Sequence, residues 1–196
     1  MILKELKCPG CGAPLKAKVR DMLLDCSHCG KVLQFADGDV VPVEYLIAAP
    51  VQQYPNAELL YVPFWVIRGE LDVSREEISG GGIRRFISGQ KQMRGVRDFY
   101  VCAADMPEKD SRVWNMDLTL TQPEFPDCRE HFQDGKKVVT VMDRDTAAEN
   151  AEFLFIRYET EIPGTLQKLE YTFHVQGCRI LYIPVWKTST AYTLGV

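Results

Sequence analysis

Two short stretches, Cys8-Pro9-Gly10-Cys11-Gly12 and Cys26-Ser27-His28-Cys29-Gly30, share the pattern Cys-x-x-Cys-Gly. They place four of the chain's seven cysteines within its first thirty residues, and no other feature restricts the fold so strongly. A Cys-x-x-Cys turn brings two sulfurs to one side of a tight loop, where backbone N–H groups offset thiolate charge. The glycine after each second cysteine takes a positive φ at low cost and lets the chain reverse. Pro9 presets φ at the front of the first turn. Zn²⁺ favours four tetrahedral ligands and binds thiolate sulfur well, so Cys8, Cys11, Cys26 and Cys29 are the expected ligands of one structural Zn²⁺. Iron also accepts four thiolates and is the alternative metal. With four cysteines filling the shell, His28 reads as an exposed turn residue or an outer-shell donor.

Between the knuckles, residues 13–25 have room for two short strands with a reversal near Arg20–Asp21. Residues 31–39 read as a third strand, closed by a turn at Asp37–Gly38. Two knuckles and three short strands resemble a zinc ribbon with rubredoxin-like knuckles over residues 1–38. The resemblance implies a small all-β module folded around its metal. Such a module has little core of its own, so chelation is expected to melt residues 1–38 and leave the body folded. A purely stabilising clip and a ribbon that also docks a partner both fit these residues.

The rest of the chain bounds the setting. At 46% hydrophobic and 26% charged residues it reads as globular. No apolar run approaches the roughly 18 residues needed to span a bilayer, and the start, "MILKELKCPG", lacks the apolar stretch of a signal peptide. A cytoplasmic location is therefore expected, where thiols stay reduced and clustered cysteines serve metals. Net charge is −4. Residues 1–35 hold six Lys/Arg against three Asp/Glu, which leaves 17 basic and 24 acidic residues in the remainder. That balance argues against a broad nucleic-acid-binding surface.

Residues 39–57 contain three prolines and read as a linker that docks partly on a body of residues 58–196. In the body, residues 59–67 and 180–188 share Leu-Tyr-x-Pro-x-Trp in register, at Leu60/Leu181, Tyr61/Tyr182, Pro63/Pro184 and Trp65/Trp186. Period-2 geometry makes both faces of these strands apolar, so both are expected to be buried. The matching motifs suggest an internal duplication. Their prolines cannot donate to a ladder and mark an edge, a bulge or a strand crossing. Residues 146–159 read as a helix, with Thr146 and Glu149 matching a capping box and apolar residues at helical spacing. A strand over 166–175 is expected to turn back at Gln176–Gly177 into the second motif strand. The fold class is α+β, mostly antiparallel, with at least one helix laid on a sheet.

Several further sets carry chemistry. Arg84, Arg85, Lys91, Arg94 and Arg97, behind a run of glycines, form a candidate anion site, or else decorate a hairpin and balance an acidic body. Tyr61, Trp65, Tyr182 and Trp186 line a candidate aromatic groove, or else form core. Cys128, His131, His174 and Cys178 have loosely metal-like spacing, but the expected hairpin sets His174 and Cys178 on opposite faces. Cys102 lies in an apolar strand and reads as a buried thiol rather than a nucleophile. No paired-carboxylate, nucleophile-elbow or dinucleotide signature is present. Taken together, the sequence points to a zinc-binding protein-interaction or assembly module. A nucleic-acid-associated factor using residues 84–97, and an enzyme whose site assembles only in space, are the alternatives.

Overall fold

A computed structural model describes residues 6–16, 20–36, 39–79, 93–125, 128–129, 132, 135–161 and 165–196. The N-terminal part is a three-stranded antiparallel sheet of β1 (Leu23–Asp25), β2 (Val32–Ala36) and β3 (Asp39–Pro42). Arg20 takes a left-handed φ of 75° at the reversal expected near Arg20–Asp21. The expected turn at Asp37–Gly38 lies outside the described residues.

The segment read as a linker is built differently. Its first residues form β3 on the ribbon sheet, and β4 (Tyr45–Ala48) runs parallel to a strand of the main sheet. Val40 joins the small core of the N-terminal sheet, while the adjacent Ile47 and Ala48 join the cores on the two faces of the main sheet. Three prolines were a poor guide, because each falls at the end of an element or between elements, where no ladder donor is needed.

Two long strands dominate the main sheet, β5 (Glu58–Ser79) and β9 (Thr165–Lys187), paired antiparallel along their length. With β6 (Gly95–Cys102) and β7 (Cys128–Arg129) the order is β6-β5-β9-β4-β7. Two short strands, β8 (Lys136–Lys137) and β10 (Tyr192–Leu194), pair β5 and β9 respectively. One face carries α2 (Arg144–Glu161), which buries Ala147, Ala151, Leu154 and Phe155 against Tyr61, Trp65, Ile67, Phe99 and Ile180. The other carries α1 (Glu108–Thr121), whose Trp114 and Leu118 cover Phe64, Val66, Tyr100 and Ile183. Helices on both faces explain why both faces of the motif strands are apolar.

The predicted helix over 146–159 begins earlier, at Arg144. Asp143, not Thr146, is the cap: its carboxylate accepts the Thr146 N–H at 2.8 Å. α1 was not anticipated; its apolar face is only two residues wide, at Trp114 and Leu118, too narrow for the periodicity to stand out.

No turn forms at Gln176–Gly177. β9 runs straight through, and Gln176 is an extra residue between the pairs Arg68↔Gly177 and Gly69↔Val175. The sequence demands such a bulge. Leu169, Tyr171 and Phe173 face α2 at odd positions, whereas Ile180, Tyr182 and Trp186 do so at even ones. One inserted residue reconciles the two phases on a single face.

The two motif strands are direct neighbours. Val62 pairs Ile183, flanked by Tyr61↔Pro184 and Pro63↔Tyr182, so equivalent residues are related by a local twofold through the Val62–Ile183 pair. The symmetry extends outward. β8 runs parallel to β5 at Leu60 and Tyr61, as β4 does to β9 at Leu181 and Tyr182. β6 and β10 then take over, antiparallel, from Phe64 and from Val185. Pro63 and Pro184 sit at these two handovers. Each accepts through its carbonyl, from Ala103 N–H at 2.9 Å and Gly195 N–H at 2.8 Å. An N–H on that side would meet the gap between two neighbours, which is why proline is tolerated in a central strand.

Candidate metal centre

Each knuckle is closed by the same two backbone hydrogen bonds. Cys8 N–H donates to Ala13 O at 2.9 Å and Gly12 N–H to Cys8 O at 2.8 Å; Cys26 N–H donates to Lys31 O at 2.9 Å and Gly30 N–H to Cys26 O at 2.9 Å. Gly12 and Gly30 have φ of 74° and 73°, the left-handed region expected of them. The knuckles face each other and bring all four sulfurs within 4.8 Å of one another. Cys8 and Cys29 Sγ lie 3.6 Å apart, as do Cys11 and Cys26 Sγ. A tetrahedral site with metal–sulfur distances of about 2.3 Å has sulfurs about 3.8 Å apart, which these two pairs approach.

The electrostatics suit a cation. The N–H groups of Cys29 and His28 hold the Cys26 thiol down to about 6. For Cys8, burial acts upward, but the N–H groups of Gly10 and Cys11 outweigh it and the thiol is lowered. Cys11 goes the other way: against the lowering by Ala13 N–H, burial and the neighbouring sulfurs push it up to about 12. Four sulfurs this close cannot all carry charge alone, and a dication removes that conflict. Cys8 and Cys26 are buried with Leu24, Leu33 and Val40 in a small ribbon core, while Cys11 and Cys29 are exposed.

The ribbon is fastened to the body beside this cage. Leu23 and Val32, 2% and 4% exposed, point away from the ribbon core and join the body's core with Tyr182 and Tyr61. Met22 N–H donates to Thr140 O at 2.7 Å, and the Asp21 carboxylate accepts Thr140 N–H at 3.2 Å. Lys137 donates to both oxygens of Asp25, at 2.7 and 2.8 Å, and its ammonium lies 5.3 Å from the Tyr182 ring centroid. Asp25 immediately precedes Cys26, one of the four clustered cysteines. None of this was legible in the sequence, because Lys137 and Thr140 lie 112 and 119 residues from their partners Asp25 and Asp21 and belong to no motif.

The other sequence-derived sets do not assemble. Tyr61, Trp65, Tyr182 and Trp186 are all buried in the α2-side core rather than lining a groove. Trp65 Nε1 donates to Met142 O at 2.9 Å; the equivalent Trp186 Nε1 has no hydrogen-bond partner among the described residues. Arg94 donates to Val73 O and to the Glu76 carboxylate. Arg97 donates to Thr119 O, and burial lowers its guanidinium pKa. Both arginines are thus spent inside the body, while Arg84, Arg85 and Lys91 lie outside the described residues. So does His131; Cys128 and His174 are exposed, and among the described residues only the four ribbon cysteines cluster in metal-ligating fashion. Cys102 borders a cavity of about 510 Å³ between α1 and α2, but burial pushes its thiol up to about 11. A thiol so poorly ionised is a weak nucleophile.

Comparisons against protein-family models, curated proteins and solved structures return no match to this chain. No helix among the described residues is long and apolar enough to cross a membrane.

Proposed function

We propose that this protein binds one structural Zn²⁺ through Cys8, Cys11, Cys26 and Cys29, and works as a protein-interaction or assembly module. The observation that carries the reading is the cluster itself: two knuckles matched bond for bond, with all four sulfurs within 4.8 Å of one another. The ribbon over residues 1–38 presents a stiff edge held on a 58–196 body, rather than a mobile appendage. The body's local twofold supports reading residues 59–67 and 180–188 as copies of one ancestral strand. A protein partner is preferred to a nucleic acid because Arg94 and Arg97 are engaged internally and the residues after the ribbon are acidic overall. A reducing cytoplasm would keep the four thiols available to metal.

The test is metal content. Purified protein should carry about one zinc per chain, and Cys26→Ser should lower that. A tetrathiolate iron centre would instead give coloured protein with iron as the stoichiometric metal. Zinc content unchanged in the Cys8/Cys11/Cys26/Cys29 quadruple serine variant would refute the assignment. Copurification of the untagged protein from its host identifies the partner, and a gel shift on duplex DNA tests the alternative. Submicromolar binding lost on replacing Arg84 and Arg85 would favour the nucleic-acid reading.

A further inference from the structure

The main sheet treats its two sides differently. At β6 the outer edge is sealed by one helix. Asn115, Thr119 and Gln122, at helical spacing on and just after α1, accept the N–H groups of Cys102, Tyr100 and Asp98 at 2.8, 3.0 and 3.0 Å. Gln122 also donates to Asp98 O at 2.6 Å, so alternate groups of this edge are occupied. On the β9 side, β10 covers residues 185–187 and β4 covers residues 180–182. Between them and the far end, Lys168–Val175 pairs β5 on its inner side and has no backbone partner on its outer side among the described residues. β9 itself carries no extra residue here: its own lie on either side, at Gln167 and Gln176, and the register shift opposite Glu170–Tyr171 puts its extra residue, Ser74, on β5. An open, regular edge of this length is a template for another strand.

We propose that this edge pairs antiparallel with the same stretch of a second copy, giving a twofold dimer with one continuous sheet. The occupant follows from self-complementarity. Faces are preserved by a twofold perpendicular to the sheet, so the axis must pass through a residue, and Thr172 or Tyr171 keeps the pairing between the bulges. Centred on Thr172, Glu170 faces His174 of the second copy, twice. On the α2 side Tyr171 then faces Phe173 and Leu169 faces Val175, so apolar meets apolar throughout. Val175 is 49% exposed in the single chain and gains cover in this register. Centred on Tyr171, Lys168 would face His174 and leave Glu170 opposite Thr172, so only the first register sets the Glu170 carboxylate against the His174 ring, which can donate a hydrogen bond to it. Cross-strand pairs of this kind are the unit of sheet stabilisation.

Sedimentation velocity up to about 100 μM, where a dimer of micromolar Kd is almost fully associated, should show a concentration-dependent dimer. Glu170→Arg and His174→Glu, both at exposed positions, should each raise Kd about tenfold or more, with far-UV circular dichroism unchanged; that factor corresponds to ~1.4 kcal/mol. Mixing the two variants should restore the dimer, since each supplies the charge the other lacks. A wild type that stays monomeric over this range overturns the proposal. So does a single variant that dimerises like wild type, or a mixture of folded variants that stays monomeric.

Discussion

Stripping the metal should destabilise the body as well as the ribbon. Among the described residues the ribbon core holds five buried residues, and two of them, Cys8 and Cys26, belong to the cysteine cluster. If the ribbon unfolds, Leu23 and Val32 leave the body's core, where they are 2% and 4% exposed. Burying each such side chain is worth ~1.5–3 kcal/mol, so the body loses about 3–6 kcal/mol. The Met22–Thr140 hydrogen bond adds ~0.5–1.5 kcal/mol and the bond to the Asp21 carboxylate ~1.5–3 kcal/mol, beyond that burial. For a chain of this size each kcal/mol moves Tm by ~2–4 °C, which gives a fall of about 6–24 °C from the burial alone. The assay is thermal unfolding followed by tryptophan fluorescence, with and without chelator. Trp65, Trp114 and Trp186 all lie in the body, so the signal reports the body alone. Leu23→Ala in the metal-loaded protein is the companion measurement, with an expected cost of ~2–5 kcal/mol. A body transition that moves by less than about 2 °C on chelation, the shift of a single kcal/mol, would refute the docking energetics and restore the picture of two independent folding units.

Other expectations follow from single contacts. Trp65→Phe should cost more than Trp186→Phe by ~1–3 kcal/mol in urea unfolding, because only the former strips a partner from Met142 O. Asn115→Ala should cost ~1–3 kcal/mol and speed hydrogen exchange at Cys102 N–H, whose acceptor it removes. Asp143→Ala should cost ~0.5–2 kcal/mol through loss of the α2 cap, while Asp143→Asn retains most of it. The Asp143 carboxyl is depressed by hydrogen bonds from Thr146. Its contribution is therefore present above the unfolded carboxyl value of ~3.9 and is lost as pH falls through the lower folded value. An acid titration of thermal stability should show a smaller low-pH loss in Asp143→Asn than in wild type.

The four-cysteine cluster was legible because knuckle chemistry is local: two sulfurs, a tight turn and a trailing glycine lie within five residues, and no distant contact alters what they need. The burial of the motif strands was legible for a similar reason, since side-chain alternation along one strand already shows that both faces are apolar. Pro63 and Pro184 announced a crossing without saying of what. Only the assembled sheet shows them at the handover from β8 to β6 and from β4 to β10, because the gap depends on where four other strands end. Gln176–Gly177 looked like a turn because turn chemistry is judged over two residues. The phase shift between Phe173 and Ile180 required a bulge, and continuous pairing with β5 supplied the energy to run the strand through it. α1 escaped notice because much of its role is polar, closing the β6 edge with Asn115, Thr119 and Gln122, and polar residues at helical spacing look the same on a solvated face. The docking of the ribbon rests on Leu23 and Val32 entering the body's core, and on Lys137 and Thr140 meeting Asp25 and Asp21, residues with no shared local pattern. Local chemistry thus determined the cluster of four cysteines, and the tertiary structure alone decided what that cluster is held against, since long-range contacts leave no signature in the residues around each partner.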